Sequence, residues 1–291
     1  MANLETVRRL PLPPLRPDDA HKGTFGTVIV VGGSAMMMGA PALCAAGALR
    51  GGVGLVKIAA PARVLPVAIA IEPGATGIAL GTSVDDDLAQ LDAADPHSRA
   101  VLAVGPGIGM ATEARYRVRA LLQGGRAMVL DADGFNHLVA WGKPRPAPGP
   151  ELVMTPHPGE FARLAEPLGI RDSPTDPSSR PAAAAALAQA HAAIVVLKGR
   201  HTVVCDGRRV YVNTTGNPAL ATAGSGDILT GLIAALIAQK MTPFDAAVLG
   251  VYLHGLAADL WVQQHGPSGL TALELAGQLP DAFQKHRRDN A

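Results

Sequence analysis

Short, unbroken apolar runs recur along the chain, each closed by glycines or polar residues, with helical-period stretches between them. Thr27–Val31 (TVIVV), Leu55–Ala59, Ala100–Val104, Ala127–Leu130, Leu152–Thr155 and Ile194–Leu197 read as strands. Apolar runs without alternation fit strands buried on both faces. The intervals Ala40–Arg50, Glu113–Gly124, Gly134–Ala140, Gly159–Leu168 and Arg180–Ala192 read as helices, so the chain spells a parallel sheet with crossover helices. Thr202–Cys205 and Arg209–Asn213, joined through Asp206-Gly207, predict a hairpin. From Asp227 onward the pattern is helical, over Ile228–Gln239, Thr242–Gln264 and Thr271 to about His286. Residues 1–22, rich in proline and charge, predict an extended lead-in, and Gly142–Pro150 and Asp172–Pro181 predict loops. With no repeat and no second composition, residues 1–291 are expected to form a single α/β domain.

The groups that follow the strands carry the chemistry. Gly32-Gly33-Ser34, Gly105-Pro106-Gly107-Ile108-Gly109, Asp131-Ala132-Asp133, Pro156-His157-Pro158-Gly159-Glu160 and Lys198-Gly199 each stand just past a strand's carboxyl end. That is the edge at which open parallel sheets bind ligands. Gly32-Gly33-Ser34 is not a dinucleotide fingerprint, since GxGxxG is absent in that register; a tight turn and a backbone approach to ligand both fit it. Asp131 and Asp133 either cap the next helix or, beside a phosphate, hold Mg²⁺ through water. His157, fixed between two prolines, is a rigidly presented ligand group or an exposed loop histidine. Lys198, followed by Gly199, Arg200, His201 and Thr202 after so apolar a strand, suits a nucleotide phosphate better than open solvent.

The stretch NTTGNPALATAGSGDILTGLI, from Asn213 to Ile233, is the densest of these signals. Gly224, Ser225 and Gly226 let backbone N–H groups approach an anion, and Asp227 falls in the first turn of the helix behind them. A carboxylate beside a phosphate chain can take the proton of an attacking hydroxyl. In isolation the same residues would be a turn and a helix cap. Met36–Met38 read as apolar filler and His254, in VYLHGLAADL, as a satisfied packing residue.

Composition narrows the class. The hydrophobic share of 48% over 291 residues supports a large core, and the net charge of +1 with 3% aromatics argues against a nucleic-acid partner. Two isolated cysteines, Cys44 and Cys205, form neither a disulfide framework nor a CxxC metal site and suit a reducing, cytoplasmic compartment. The N-terminus has no apolar h-region, and no apolar run reaches the ~20 residues of a membrane span, so no membrane association is expected. Zinc spacings, GxSxG and GxxxxGK[ST] are all absent.

Eight ordered blocks then carry a resemblance. They are HKGTFGTVIVVGGS (21–34), GAPALCAAGALRGGVGLV (39–56), VGPGIG (104–109), DADGFNHL (131–138), TPHPGE (155–160), LKGRHTVV (197–204), GNPALATAGSGDILTG (216–231) and GVYLHGLAAD (250–259). Through them the chain resembles the ADP- or ATP-dependent NAD(P)H-hydrate dehydratases of the ribokinase-fold group. The resemblance implies a three-layer sandwich with a mostly parallel central sheet. It implies an enzyme that dehydrates the S-epimer of hydrated NADH or NADPH while converting ADP to AMP and phosphate, with Mg²⁺ on the nucleotide.

Carried over residue by residue, it assigns Asp227 as catalytic base and substrate contact. Ala40, Gly107, His157 and Asn217 go to the hydrated dinucleotide, and Lys198, Gly199, Arg200, His201, Thr202 and Gly226 to the nucleotide. It also implies a homo-oligomer, with a homotetramer as the expected form. Two departures stand out: Met38 replaces a tyrosine-like position, and HKG begins only about twenty residues in, so no fused epimerase domain is expected and a separate epimerase would supply the other epimer. A vitamin-precursor kinase of the same fold and a non-enzymatic nucleotide sensor are the rival readings.

Overall fold

The computed structural model describes residues 4–142 and 152–290. Ten strands form one sheet: β1 (Glu5–Thr6), β2 (Thr27–Val31), β3 (Leu55–Pro61), β4 (Thr76–Leu80), β5 (Val101–Val104), β6 (Met128–Leu130), β7 (Leu152–Met154), β8 (Ile194–Leu197), β9 (Val203–Cys205) and β10 (Arg209–Val212). Their spatial order is β1-β10-β9-β8-β7-β6-β5-β2-β3-β4. Every pairing from β4 to β8 is parallel; β9 runs against both β8 and β10, as the hairpin reading expects. The chain winds outward from β2 through β3 to β4, then returns to β5 on the other side of β2. The crevice at the carboxyl ends of β2 and β5 is therefore the topological switch point, where such sheets take ligands.

Among the described residues ten α-helices cover the two faces: α1 (Ala40–Arg50), α2 (Leu65–Ile71), α3 (Val84–Ala94), α4 (Thr112–Gln123), α5 (Asp133–Trp141), α6 (Pro158–Ala165), α7 (Arg180–His191), α8 (Ser225–Ala238), α9 (Pro243–His265) and α10 (Ala272–Asp289). Strand residues alternate between two cores: Val28 and Val30 pack with α1, α2, α8, α9 and α10, while Ile29 and Val31 pack with α3 to α7. A sheet buried on both faces accounts for the unbroken apolar runs. The predicted three-layer α/β architecture is the one observed.

The segment from Ala60 to Arg99, passed over in the sequence reading, contains α2, β4 and α3. β4 is the sheet's edge, and its exposed Thr76, Gly77 and Ala79 dilute the apolar run that marks the inner strands. Helix α2 leaves Val67 and Ile71 exposed and is too short to show a period. The lead-in is extended as expected but not free. β1 pairs in parallel with β10, Pro11 O accepts from His286 Nε2 at 2.8 Å, and Pro14 O accepts from Arg287 at 3.0 Å. Of the predicted loop Gly142–Pro150, all but Gly142 lies outside the described residues.

Helix α9 corrects one expectation: it is long and apolar enough to cross a membrane by length and composition. Most of it is nonetheless buried inside the fold, between α8 and α10, where an all-round apolar helix belongs.

Helix α8 is held in place by close packing against α1. A Cβ at Gly231 would overlap the Cys44 carbonyl oxygen, and one at Gly47 would overlap Ile228. Two glycines and the alanines of APALCAAGALR let α1 and α8 touch backbone to backbone. This contact fixes the first turn of α8, and with it Asp227, above the carboxyl ends of the strands.

Candidate active site

Asp131 ends β6 and is almost fully buried. Its Oδ1 accepts from Lys198 Nζ at 2.8 Å and from the Thr155 hydroxyl at 2.7 Å, and its Oδ2 accepts from the Thr230 hydroxyl at 2.8 Å. Strands β6, β7 and β8 and helix α8 thus meet at one carboxylate. Removing either partner of such a buried ion pair costs about 3–5 kcal/mol, because the other charge is left alone. The helix-cap reading of Asp131 and Asp133 fails: the residue before α5 is Ala132, with no side-chain cap. Asp133 instead accepts from Gly109 N at 3.0 Å and from Asn136 at 3.2 Å.

Lys198 sits at the end of β8. Burial pulls its ammonium down, but Asp131 and Glu160 outweigh that and leave it above the ordinary lysine value. A Cβ at Gly226 would stand 3.3 Å from Lys198 Nζ and 3.9 Å from Asp131 Oδ2, which puts the start of α8 against this pair. The next residue, Asp227, has its carboxyl pushed up to about 7, by burial first and by Asp131 second, with Lys198 opposing. A carboxyl that titrates near 7 can accept a proton at neutral pH and release it again.

One side of this cluster opens into a cavity of about 690 Å³. Its walls include Lys198, Gly199, Arg200, His201 and Thr202 from the β8–β9 turn, and Ser225 and Gly226 from the start of α8. All six residues predicted for the nucleotide are therefore in one place. The opposite wall is the segment from Asn213 to Ala221, pinned to α9 by side chains. Asp259 accepts from Gly216 N at 2.9 Å and Asn217 Nδ2 at 2.8 Å, Asn213 Nδ2 donates to Val251 O at 3.1 Å, and the Thr215 hydroxyl donates to Tyr252 O at 2.8 Å. Asn217, predicted with the dinucleotide set, lines this cavity rather than the β2–β5 crevice.

His254 is also on the cavity wall. It is a satisfied packing residue as expected, its Nε2 donating to Ser225 O at 2.9 Å, and burial lowers its pKa to about 4, so the ring is neutral.

Ala40 and Gly107 come together at the switch point. A Cβ at Gly107 would lie 2.9 Å from Ala40 Cβ and 2.8 Å from both Met37 Cβ and Met37 O, and its φ of 61° favours glycine independently. The Met36–Met38 expectation needs correction here. Only Met38 packs against the core; Met36 is 89% exposed and Met37 40%, and Met37 closes over Gly107. Helix α1 runs from Ala40 at this corner to Leu43 and Cys44, which lie against the start of α8.

His157 caps α6. Its Nδ1 accepts from Gly159 N at 3.0 Å and Glu160 N at 3.3 Å, so the neutral ring carries its proton on Nε2, 3.5 Å from Glu160 Oε1. Glu160 Oε2 accepts from His157 N at 2.7 Å and lies 3.9 Å from Lys198 Nζ. Burial raises the Glu160 carboxyl, more than Lys198 lowers it. Glu160 links the histidine to the lysine, and its place three residues after the cap was the only sequence hint of it. Asp259 and Thr230 lie within matched blocks, but nothing local pointed to their partners, since both contacts cross long stretches of chain.

Among the described residues no three His, Cys, Asp or Glu side chains converge on a possible metal position. The oxygens of Asp131 and Asp133 each accept a hydrogen bond from a protein donor. Cys44 and Cys205 are both free and buried.

A family model described as NAD(P)H-hydrate dehydratase matches residues 28–281. The ADP-dependent (S)-NAD(P)H-hydrate dehydratase of Neisseria meningitidis is 40% identical over 285 residues, covering 96% of this chain and 91% of that protein. The bifunctional NAD(P)H-hydrate repair enzyme of Thermofilum pendens is 37% identical over 301 residues, covering 98% of this chain but 55% of that protein. The chain thus spans about half the length of the first curated relatives it matches. The solved ADP/ATP-dependent NAD(P)H-hydrate dehydratase of Bacillus subtilis, co-crystallised with ATP and Mg²⁺, superposes with a TM-score of 0.75 at 31% identity over 94% of both chains.

Proposed function

The chain belongs to the NAD(P)H-hydrate dehydratase family, and from that premise we propose that it dehydrates the S-epimer of hydrated NADH or NADPH at the expense of ADP. The observation that carries the reading is Asp227: a carboxyl pushed up to about 7 in the first turn of α8, next to Gly226 on the wall of the cavity that Lys198 and the β8–β9 turn also line.

In this scheme the diphosphate lies in the cavity against the N–H donors of Ser225 and Gly226 and the Lys198 ammonium. A helix start carries about +0.5 of a charge, which favours an anion there. The hydrated ring lies over Ala40 and Gly107, with the His157 Nε2–H as a donor. Asp227 takes the proton from the C6 hydroxyl, the freed oxygen attacks the terminal phosphorus in line, and AMP leaves. The phosphoryl ester is a better leaving group than hydroxide, so loss of phosphate together with a ring proton restores the double bond. Mg²⁺ would travel with the nucleotide, held mainly by phosphate oxygens and water. The described residues do not fit a protein-held ion, and the chain's own contribution is the base, the ammonium and the helix start. The two buried free thiols suit a reducing cytoplasm, and a separate epimerase would feed the other epimer into the reaction.

The test is to incubate the purified protein with hydrated NADH, Mg²⁺ and either ADP or ATP. Return of the reduced-nicotinamide absorbance with one phosphate released per turnover is the expected result. No return with either nucleotide, or accumulation of a stable phosphoester of a small alcohol, would overturn it.

A further inference from the structure

Asp227 has a second carboxylate beneath it that the scheme above does not use. Asp131 is not itself part of the cavity wall, yet it gathers the wall residue Lys198 together with Thr155 and Thr230 at hydrogen-bond distance and lies 3.9 Å from the Cβ position of Gly226. We propose that Asp131 is the positioning residue of the active site, a buried anion that holds Lys198 in place and shares that single ammonium with Asp227.

The geometry supports the role in three ways. Three donors from β7, β8 and α8 converge on Asp131, so its carboxylate is held without freedom to rotate toward a ligand. Thr230 stands in the same helix as Asp227, three residues on, one turn below it. The bond from Thr230 to Asp131 therefore registers the helix against the strand end that holds Lys198. Finally, the charges are unequal in number: the Lys198 ammonium faces Asp131, Asp227 and, at 3.9 Å, Glu160. Asp131 takes the short contact, which leaves Asp227 the less compensated carboxylate and the stronger base. The other titratable groups facing this cluster are the Cys44 thiol from α1, whose pKa is raised by burial and then by Asp227 and Asp131, and His254 from α9, neutral against Ser225.

This inference rests on the dehydratase reading, but its test does not need turnover. The ¹³C carboxyl signal of Asp227 is titrated in the wild type, in Asp131→Asn and in Lys198→Met, with circular dichroism to establish folding. Asp131→Asn removes the like charge and frees the ammonium, so the Asp227 titration moves to lower pH by roughly one unit or more. Lys198→Met leaves the two carboxylates facing each other, and the titration moves up. The acid limb of the kcat profile in Asp131→Asn follows the same downward shift, with kcat lower by about tenfold or more and the nucleotide KM changed far less. If Asp131→Asn does not fold, Lys198→Met carries the test alone. An Asp227 titration unmoved in a folded variant overturns the proposal, whether or not the enzyme turns over. A wild type that restores no reduced nicotinamide, with the titration still shifting, instead overturns the function.

Discussion

The two halves of the site are built by different means. The half proposed for the nucleotide is a cavity with one wall tied by side-chain hydrogen bonds to α9, through Asp259, Asn213 and Thr215. The half proposed for the dinucleotide is a corner shaped by backbone proximity, with Gly107 closed on by Met37 and Ala40. A wall held by polar side chains can be loosened one bond at a time. A corner set by a missing Cβ tolerates almost no change. In the proposed scheme Asp227 serves both halves, so its loss should be felt differently from damage to either.

That distinction orders the expected effects. Asp227→Asn should lower kcat by about 10²–10⁴-fold while ADP binding, measured by calorimetry, stays near wild type. Retained turnover would remove Asp227 from the centre of the comparison. The wild-type kcat profile should lose activity as pH falls through about 7, as the base becomes protonated. The same residue carries a stability cost. Its folded pKa of about 7 exceeds the ordinary aspartate value of about 3.9, so its favourable contribution is complete below the lower value and lost as pH rises through the higher one. Asp227→Asn should therefore raise Tm at pH 8, by a few degrees for ~1–2 kcal/mol, and leave it unchanged at pH 4. A lower Tm at pH 8 would mean the carboxylate is stabilising.

Next comes Gly107→Ala. A Cβ 2.8 Å from Met37 O at φ 61° must shift backbone, so the KM for hydrated NADH should rise about tenfold or more, with the nucleotide KM moved less than twofold. On the other half, Asp259→Ala frees Gly216 N and Asn217 from their partner. Loss of two bonds to a charged acceptor predicts a nucleotide KM raised several-fold and the dinucleotide KM unchanged. Steady-state kinetics with each substrate varied in turn would check both. Parallel increases in the two KM values would show that the halves are one unit.

How readable these parts were follows from the range of the forces behind them. The inner strands were legible because burial on both faces writes an unbroken apolar run, and the strand-end groups were legible because turns need glycine, proline and aspartate. The edge strand β4 was not, since solvent on one side leaves no such run. Asp131 looked like a cap or a metal ligand because its true partners, Lys198 and Thr230, lie 67 and 99 residues away. Asn217 was grouped with the dinucleotide through its place in the GNP block, and nothing local betrays its bond to Asp259. Contacts between distant segments leave no local period, and those contacts decide which half of a site a residue serves.

The smallest effect is expected at Met36, where the sequence suggested filler. A buried methionine changed to a small residue would cost ~2–5 kcal/mol through the cavity left behind. At 89% exposure there is no cavity to leave, so Met36→Ser should keep stability within about 0.5 kcal/mol of wild type by thermal unfolding. Its neighbour Met37 closes on Gly107, so the same variant also measures how far the dinucleotide half extends. An unchanged KM for hydrated NADH confines that half to the backbone corner of Ala40 and Gly107. A KM raised tenfold would make these methionines a working wall of the site, and that corner would then be enclosed by flexible side chains where the nucleotide cavity is enclosed by hydrogen bonds.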